Sequence, residues 1–105
     1  MNIIFFGTSE FAVPALEALI HASYKMTAIV TLPDSAKDRG LHMVSSPVKT
    51  LALHNQLVVL EPEKLSNPEF LKKLSGLDYD VGVVAAYGKI IPESVLSIPK
   101  YGFLN

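Results

Sequence analysis

The 105-residue sequence predicts an α/β fold built on a doubly wound, mostly parallel sheet, and three observations carry that prediction. Ile3-Ile4-Phe5-Phe6 is apolar without alternation and is ended by Gly7, the signature of a central strand covered on both faces. A helix pattern follows at once. Thr8 or Ser9 can cap it by accepting from unpaired amides, and Glu10 puts a negative charge in the first turn, where the helix dipole favours one. Strand-like and helix-like segments then alternate to the last residue, as parallel strands joined by crossover helices require.

The first helix is expected over Glu10 to His21, with Phe11, Ala15, Leu16, Leu19 and Ile20 as its apolar stripe. Pro14 either opens the regular helix or bends one that began at Glu10. Met26 to Thr31 reads as the second strand. Leu32 to Ser46 is the longest irregular stretch, interrupted by Pro33, Asp34 and Gly40, and a loop of that length in a compact domain is functional or mobile. Pro47 to Asn55 is the second helix, capped by Ser45 or Ser46, with Val48, Leu51 and Ala52 facing inward. Leu57 to Leu60 is a short third strand. Asn67-Pro68-Glu69 opens a third helix that carries Phe70, Leu71 and Leu74. Asp80 to Ala86 is a fourth strand, Tyr87 to Pro92 its outgoing loop, and Glu93 to Ser97 one helical turn. Tyr101 to Asn105 reads as the start of a fifth strand. Right-handed crossovers give the Rossmann-like order 3-2-1-4. Ligands bind such sheets beyond the carboxyl ends of the strands, where the order reverses. The loops at Gly7 to Glu10 and Ala86 to Pro92 are therefore expected to face one another across a crevice that the Asn105 side chain can reach.

Half of the residues are hydrophobic and 18% are charged, so a packed core is expected. Nine basic side chains against ten acidic ones create no global field toward nucleic acid or membrane. Cysteine is absent, which removes disulfides, thiolate metal sites and thiol nucleophiles together. A strand beginning at the second residue leaves no room for a signal peptide, and no apolar run approaches membrane length. The expected setting is soluble and cytoplasmic.

Gly7 before a helix suggests a dinucleotide fingerprint, but Ser9 and Ala12 stand where that pattern needs further glycines. The helix start can still hold another anionic group. His21, His42 and His54 have no metal-ligand spacing, so no metal is expected. Lys37, Arg39, His42 and Lys49 put positive charge in or beside the long loop. On residues alone a solvated loop is the favoured reading of them, ahead of contact with a phosphate backbone. Tyr87-Gly88-Lys89-Ile90-Ile91-Pro92 is either a tight turn with Ile90 and Ile91 in the core or a cleft wall for a flat heterocycle. Its place at the switch point favours the wall. The neutral amide of Asn105 can donate to a carbonyl oxygen as it becomes an oxyanion.

Together these residues resemble the amino-terminal domain of methionyl-tRNA formyltransferase over essentially the whole chain. The specific segments are Phe6-Gly-Thr-Ser-Glu-Phe-Ala-Val-Pro14, Ser46-Pro-Val-Lys49, Ala86-Tyr-Gly-Lys-Ile-Ile-Pro92 and Pro99-Lys-Tyr-Gly-Phe-Leu-Asn105. The last two are shared more loosely with other 10-formyltetrahydrofolate enzymes. The resemblance implies formyl transfer from 10-formyltetrahydrofolate to the amine of initiator methionyl-tRNA, without a metal. It implies that Tyr87, Gly88, Lys89, Ile90 and Ile91 line the folate pocket and that Asn105 is catalytic. It also implies that the 34–44 loop reaches toward tRNA through Lys37, Arg39, Gly40 and His42. Leu41 and His42 stand where well-known members carry lysines, so this arm is less basic. The family's His two residues after the Asn, its later Asp and its carboxyl-terminal tRNA-binding domain have no counterpart in residues 1–105. These residues are therefore expected to be an incomplete amino-terminal formyltransferase domain, inactive by themselves and marginally stable or self-associating. The rivals are a formyltransferase with an amino-sugar or nucleotide acceptor, and a folate- or nucleotide-binding module without turnover.

Overall fold

A computed structural model describes residues 1–36 and 43–105. In chain order its elements are β1 (Asn2–Gly7), a 3-10 turn (Glu10–Ala12), α1 (Val13–His21), β2 (Lys25–Val30), β3 (Ser35–Ala36) and β4 (Met43–Val44). They continue with α2 (Pro47–His54), β5 (Val59–Leu60), α3 (Pro68–Ser75), β6 (Val81–Ala85), α4 (Glu93–Leu96) and β7 (Phe103–Leu104). Five strands form one parallel sheet in the order β5-β2-β1-β6-β7. With β3 and β4 set aside, that is the expected 3-2-1-4, and the fifth strand lies beyond the fourth.

β1 is central because its side chains are apolar on both faces, and Ile4, Phe5 and Phe6 are fully buried. Ile3 and Phe5 face α1 and α2 and pack with Leu16, Met26, Ile29, Val48 and Ala52. Ile4 and Phe6 face the other way, into a layer with Ala28 and Val30 of β2, Phe70 and Leu74 of α3, Val95 of α4 and Tyr87 at the exit of β6. Each face thus has its own core, and strand alternation sorts residues between them.

The helix boundaries follow their caps. The Ser9 hydroxyl accepts from the Phe11 amide at 3.3 Å, that of Ser46 from the Lys49 amide at 3.0 Å, and the Asn67 carbonyl oxygen from the Glu69 amide at 2.8 Å. Pro14 stands in the first turn of the regular helix, one residue after its start at Val13, because Glu10–Ala12 form a separate 3-10 turn. That turn overturns one expectation. Phe11 is 81% exposed and leaves the inward stripe, while Ala12 is buried in its place. A tighter turn of three residues rotates position 11 away from the face that Ala15 and Leu16 share.

Two more expectations change. The stretch from Leu32 to Ser46 is not wholly irregular, because β3 and β4 pair antiparallel, Ser35 with Val44 and Ala36 with Met43. The third strand is shorter than Leu57 to Leu60. Gln56 takes a left-handed φ of 58° and the Leu57 amide bonds back to the Ala52 carbonyl at 2.9 Å, so these residues finish α2 before pairing begins.

Candidate functional site

The carboxyl end of β1 meets the exit of β6 through backbone groups. The Ala86 carbonyl accepts from the Thr8 amide at 3.1 Å and from the Ser9 amide at 3.3 Å. Ala86 takes a left-handed φ of 47° in that turn. The two loops expected to flank an open crevice are therefore bonded to each other. The Phe11 and Ala12 amides are also satisfied, by the Ser9 hydroxyl and carbonyl, so the first helix offers no cluster of free amides to an anion. Gly7 is needed here for close approach. A Cβ on it would lie 2.5 Å from the Phe5 ring and 2.8 Å from the Ala85 carbonyl oxygen.

Among the described residues, open space beside Asn105 lies one strand further over. A cavity of about 240 Å³ is lined by Val84 of β6, Lys89 and Ile91 of the outgoing loop, Leu96 of α4, and Phe103, Leu104 and Asn105 at β7. Its walls are apolar apart from Lys89 and Asn105. The floor is set by aromatic packing: the Phe6 ring meets Phe103 edge-on at 5.3 Å and Tyr87 at 5.6 Å. Gly82 makes the β6–β7 approach possible, because a methyl group there would overlap the Phe103 ring. The Lys89 ammonium donates to the Glu63 carbonyl at 2.6 Å, which ties the loop of the site to the chain after β5. Such a cavity suits a flat apolar ring with a polar edge, and the Asn105 amide can donate to an oxygen held beside it.

Of the residues expected at the site, Lys89, Ile91 and Asn105 come together around this cavity. Tyr87 is 2% exposed and lies in the core beneath it, where burial pushes its phenol up to about 12. Its hydroxyl has no hydrogen-bond partner among the described residues. Gly88 holds a left-handed φ of 104°, and a Cβ there would approach Leu32 Cδ1 at 3.1 Å. Ile90 is 94% exposed, against the reading that buried both isoleucines, and it borders a separate groove with Lys64, Ser66 and Pro92. Lys37, Arg39, Gly40 and His42 lie outside the described residues. Among the described residues no group of His, Cys, Asp and Glu could hold a metal ion, and no helix is long and apolar enough to cross a membrane.

A second polar cluster, at the carboxyl ends of β2 and β5, went unnoticed in the sequence. The Lys49 ammonium lies 2.9 Å from Asp34 Oδ2 and 3.0 Å from Glu61 Oε1. Those bonds hold its pKa above the ordinary lysine value. Thr31 is fully buried, and its hydroxyl sits 2.9 Å from that of Ser46. The one available signal was Lys49 itself, a cation in the first turn of a helix, where the dipole opposes it unless carboxylates answer.

Comparison with known proteins shows the family. The sequence matches the formyl transferase family over residues 1–105. It is 51% identical to a methionyl-tRNA formyltransferase of Caldanaerobacter subterraneus subsp. tengcongensis, covering all of this chain and 34% of that protein. It is 48% identical to the protein of that name from Acetivibrio thermocellus and 43% identical to that from Chlamydia abortus, again over all of this chain and about a third of theirs. The chain thus spans about a third of the length of the curated relatives it matches.

Proposed function

The chain belongs to the formyl transferase family, and from there we propose that the whole protein transfers a formyl group from 10-formyltetrahydrofolate to the amine of initiator methionyl-tRNA, in the cytoplasm. Residues 1–105 are read as the first part of its formyltransferase domain. The observation that carries this reading is the meeting of Lys89, Ile91 and Asn105 around one cavity at the exit of β6. The folate ring would lie against Ile91, Phe103 and Leu104, with the loop backbone from Tyr87 to Ile91 along its edge. Its formyl group would sit beside Asn105. The methionyl amine attacks the formyl carbon, the carbonyl oxygen gains negative charge and the Asn105 amide donates to it. As the carbonyl re-forms, the bond from the formyl carbon to the folate N10 breaks and that nitrogen leaves with a proton as tetrahydrofolate. The amine proton must also leave. Lys89 is a donor already bonded to Glu63, so the base belongs to another part of the protein, where the family resemblance places a His and an Asp. The segment between Ala36 and Met43, with Lys37, Arg39, Gly40 and His42, is read as the tRNA contact.

The test is formyl transfer by the whole protein with 10-formyltetrahydrofolate and methionyl-tRNA. Asn105→Ala is expected to lower kcat on the order of 10²- to 10³-fold, as loss of one oxyanion donor does, with little change in KM for tRNA. Formylation of an amino sugar or a nucleotide in place of the tRNA would overturn the acceptor. Residues 1–105 alone should bind a folate analogue, lose it on Ile91→Asp, and turn nothing over. They should also associate through the β7 edge, where Leu104 is 61% exposed, and a monomer at every concentration in sedimentation would count against that.

A further inference from the structure

Thr8 lines no part of the cavity, yet three strand ends meet on it. Its amide donates to the Ala86 carbonyl at 3.1 Å, beside the Ser9 amide at 3.3 Å. Its hydroxyl faces the other neighbour, accepting from the Leu32 amide at 3.2 Å and from the hydroxyl of buried Thr31 at 3.4 Å. The exits of β1, β2 and β6 are thus joined through one residue. Leu32 closes the circuit. Its side chain packs on the core that holds Phe6 and Tyr87, and a Cβ on Gly88 would come within 3.1 Å of its Cδ1.

The segment held by this circuit turns twice through left-handed backbone, at Ala86 with a φ of 47° and at Gly88 with a φ of 104°, on either side of buried Tyr87. Alanine keeps such a conformation only where its surroundings fix it, and here two amides grip its carbonyl. Glycine answers both the positive φ at position 88 and the closeness of Leu32. Lys89 and Ile91, which follow these turns, line the cavity. Where they stand is decided by the angles at Ala86 and Gly88, and so by Thr8 on one side and Leu32 on the other.

We propose that Thr8 is a positioning residue for folate binding: its amide and hydroxyl clamp the exits of β6 and β2 together and so set where Lys89 and Ile91 stand at the cavity. This rests on the formyl-transfer reading for the identity of the ligand. Removing the hydroxyl leaves the Leu32 amide without its acceptor, frees the exit of β2, and shifts the side chain on which Gly88 rests. Asn105 follows β7 and lies outside the circuit, so the oxyanion donor is spared.

The test uses the whole protein with Thr8→Val, Thr8→Ser and Leu32→Ala, read by equilibrium binding of tetrahydrofolate, by kinetics and by amide hydrogen exchange. Thr8→Val keeps the shape and loses the hydroxyl. It should raise Kd for tetrahydrofolate and KM for 10-formyltetrahydrofolate about five- to tenfold, the scale of one hydrogen bond. The kcat and the KM for methionyl-tRNA should stay within about twofold of the wild type. Exchange should quicken at the Leu32 and Ser9 amides, while β1 and β6 stay protected. Thr8→Ser keeps the hydroxyl and should bind within about twofold of the wild type. Leu32→Ala should weaken folate binding in the same selective way, and the double variant should be no weaker than the weaker single, because both act on one path. Unchanged folate binding in Thr8→Val overturns the proposal, whether or not exchange rises. So does a parallel loss of kcat and both affinities with a lowered Tm, or a loss in Thr8→Ser as large as in Thr8→Val. Failure of the formyl-transfer reading looks different: the wild type itself would bind no tetrahydrofolate, and the inference would fall with it.

Discussion

The two flanks of β1 at its carboxyl end are held by different forces. Toward β2 and β5 the ties are directional and polar: Thr8, Thr31, Ser46 and the Lys49 ion pairs. Toward β6 and β7 they are aromatic packing and bare backbone, with the Phe6 ring between Tyr87 and Phe103 and the Ala86 carbonyl bonded to Thr8 and Ser9. The polar ties join Asp34, Lys49 and Glu61 across three separate segments of the chain. On the packed flank the cavity opens between apolar side chains, with Lys89 and Asn105 as its polar members. The sharpest way to break this contrast is Phe6→Ala. It should cost about 3–5 kcal/mol, more than any single hydroxyl on the other flank, because it removes a fully buried ring and leaves a cavity beneath the site. Urea denaturation of the two sets of variants measures it.

Alkaline titration compares the buried phenols of the aromatic core with the Lys49 ion pairs next. Tyr79 and Tyr87 are buried with no partner for their hydroxyls among the described residues, and burial pushes both phenols up to about 12. In the unfolded chain they ionise near pH 10. A folded pKa above the unfolded one gives stability that is fully present below pH 10 and is lost as pH rises toward 12. For each tyrosine that loss is about 2–3 kcal/mol. Lys49 has the same sign, because its partners raise its pKa and deprotonation ends both ion pairs. Tyr79→Phe with Tyr87→Phe should remove the larger part of the alkaline loss, and the remainder should vanish on Lys49→Met. An unaltered titration in the double phenylalanine variant would show that burial of those phenols is not what the slope reports.

The sequence carried the packed flank better than the tied one. The unbroken run Ile3 to Phe6, the proline-marked helix starts and the capping residues are local signals, and they led to the strand order and to most boundaries. Topology put Lys89, Ile91 and Asn105 beyond the carboxyl ends of the strands at the switch point, whereas the cavity that they line opens one strand further over, beside β7. The Lys49 pairs were not legible, since Asp34 and Glu61 lie on separate segments and no spacing links them. Phe11 was misplaced because period 3.6 was assumed across a 3-10 turn. The Ala86 bond to Thr8 and Ser9 escaped because a left-handed alanine gives no sign of itself in a sequence.

Gly82→Ala sharpens the contrast on the packed side. The added methyl overlaps the Phe103 ring, so β7 must shift, and Asn105 is carried with it. Overpacking of this kind costs about 1–3 kcal/mol, and affinity for a folate analogue should fall in the same variant. Retained affinity at lowered stability would mean that the cavity does not depend on where β7 lies.

The smallest expected effect tests the polar flank at one atom. Ser46 Oγ accepts from the Lys49 amide at 3.0 Å and meets the hydroxyl of buried Thr31 at 2.9 Å, so it is a cap and a cross-link together. Asn67 caps α3 through the Glu69 amide at 2.8 Å and is exposed. Loss of either cap should cost about 1 kcal/mol. Ser46→Ala should cost more than Asn67→Ala, because it also leaves the Thr31 hydroxyl with only the longer bond to Thr8, at 3.4 Å. A double-mutant cycle with Thr31→Val isolates that share, and a coupling of about 0.5 kcal/mol or more would confirm the cross-link. Equal costs for the two caps, with no coupling, would reduce Ser46 to an ordinary helix cap.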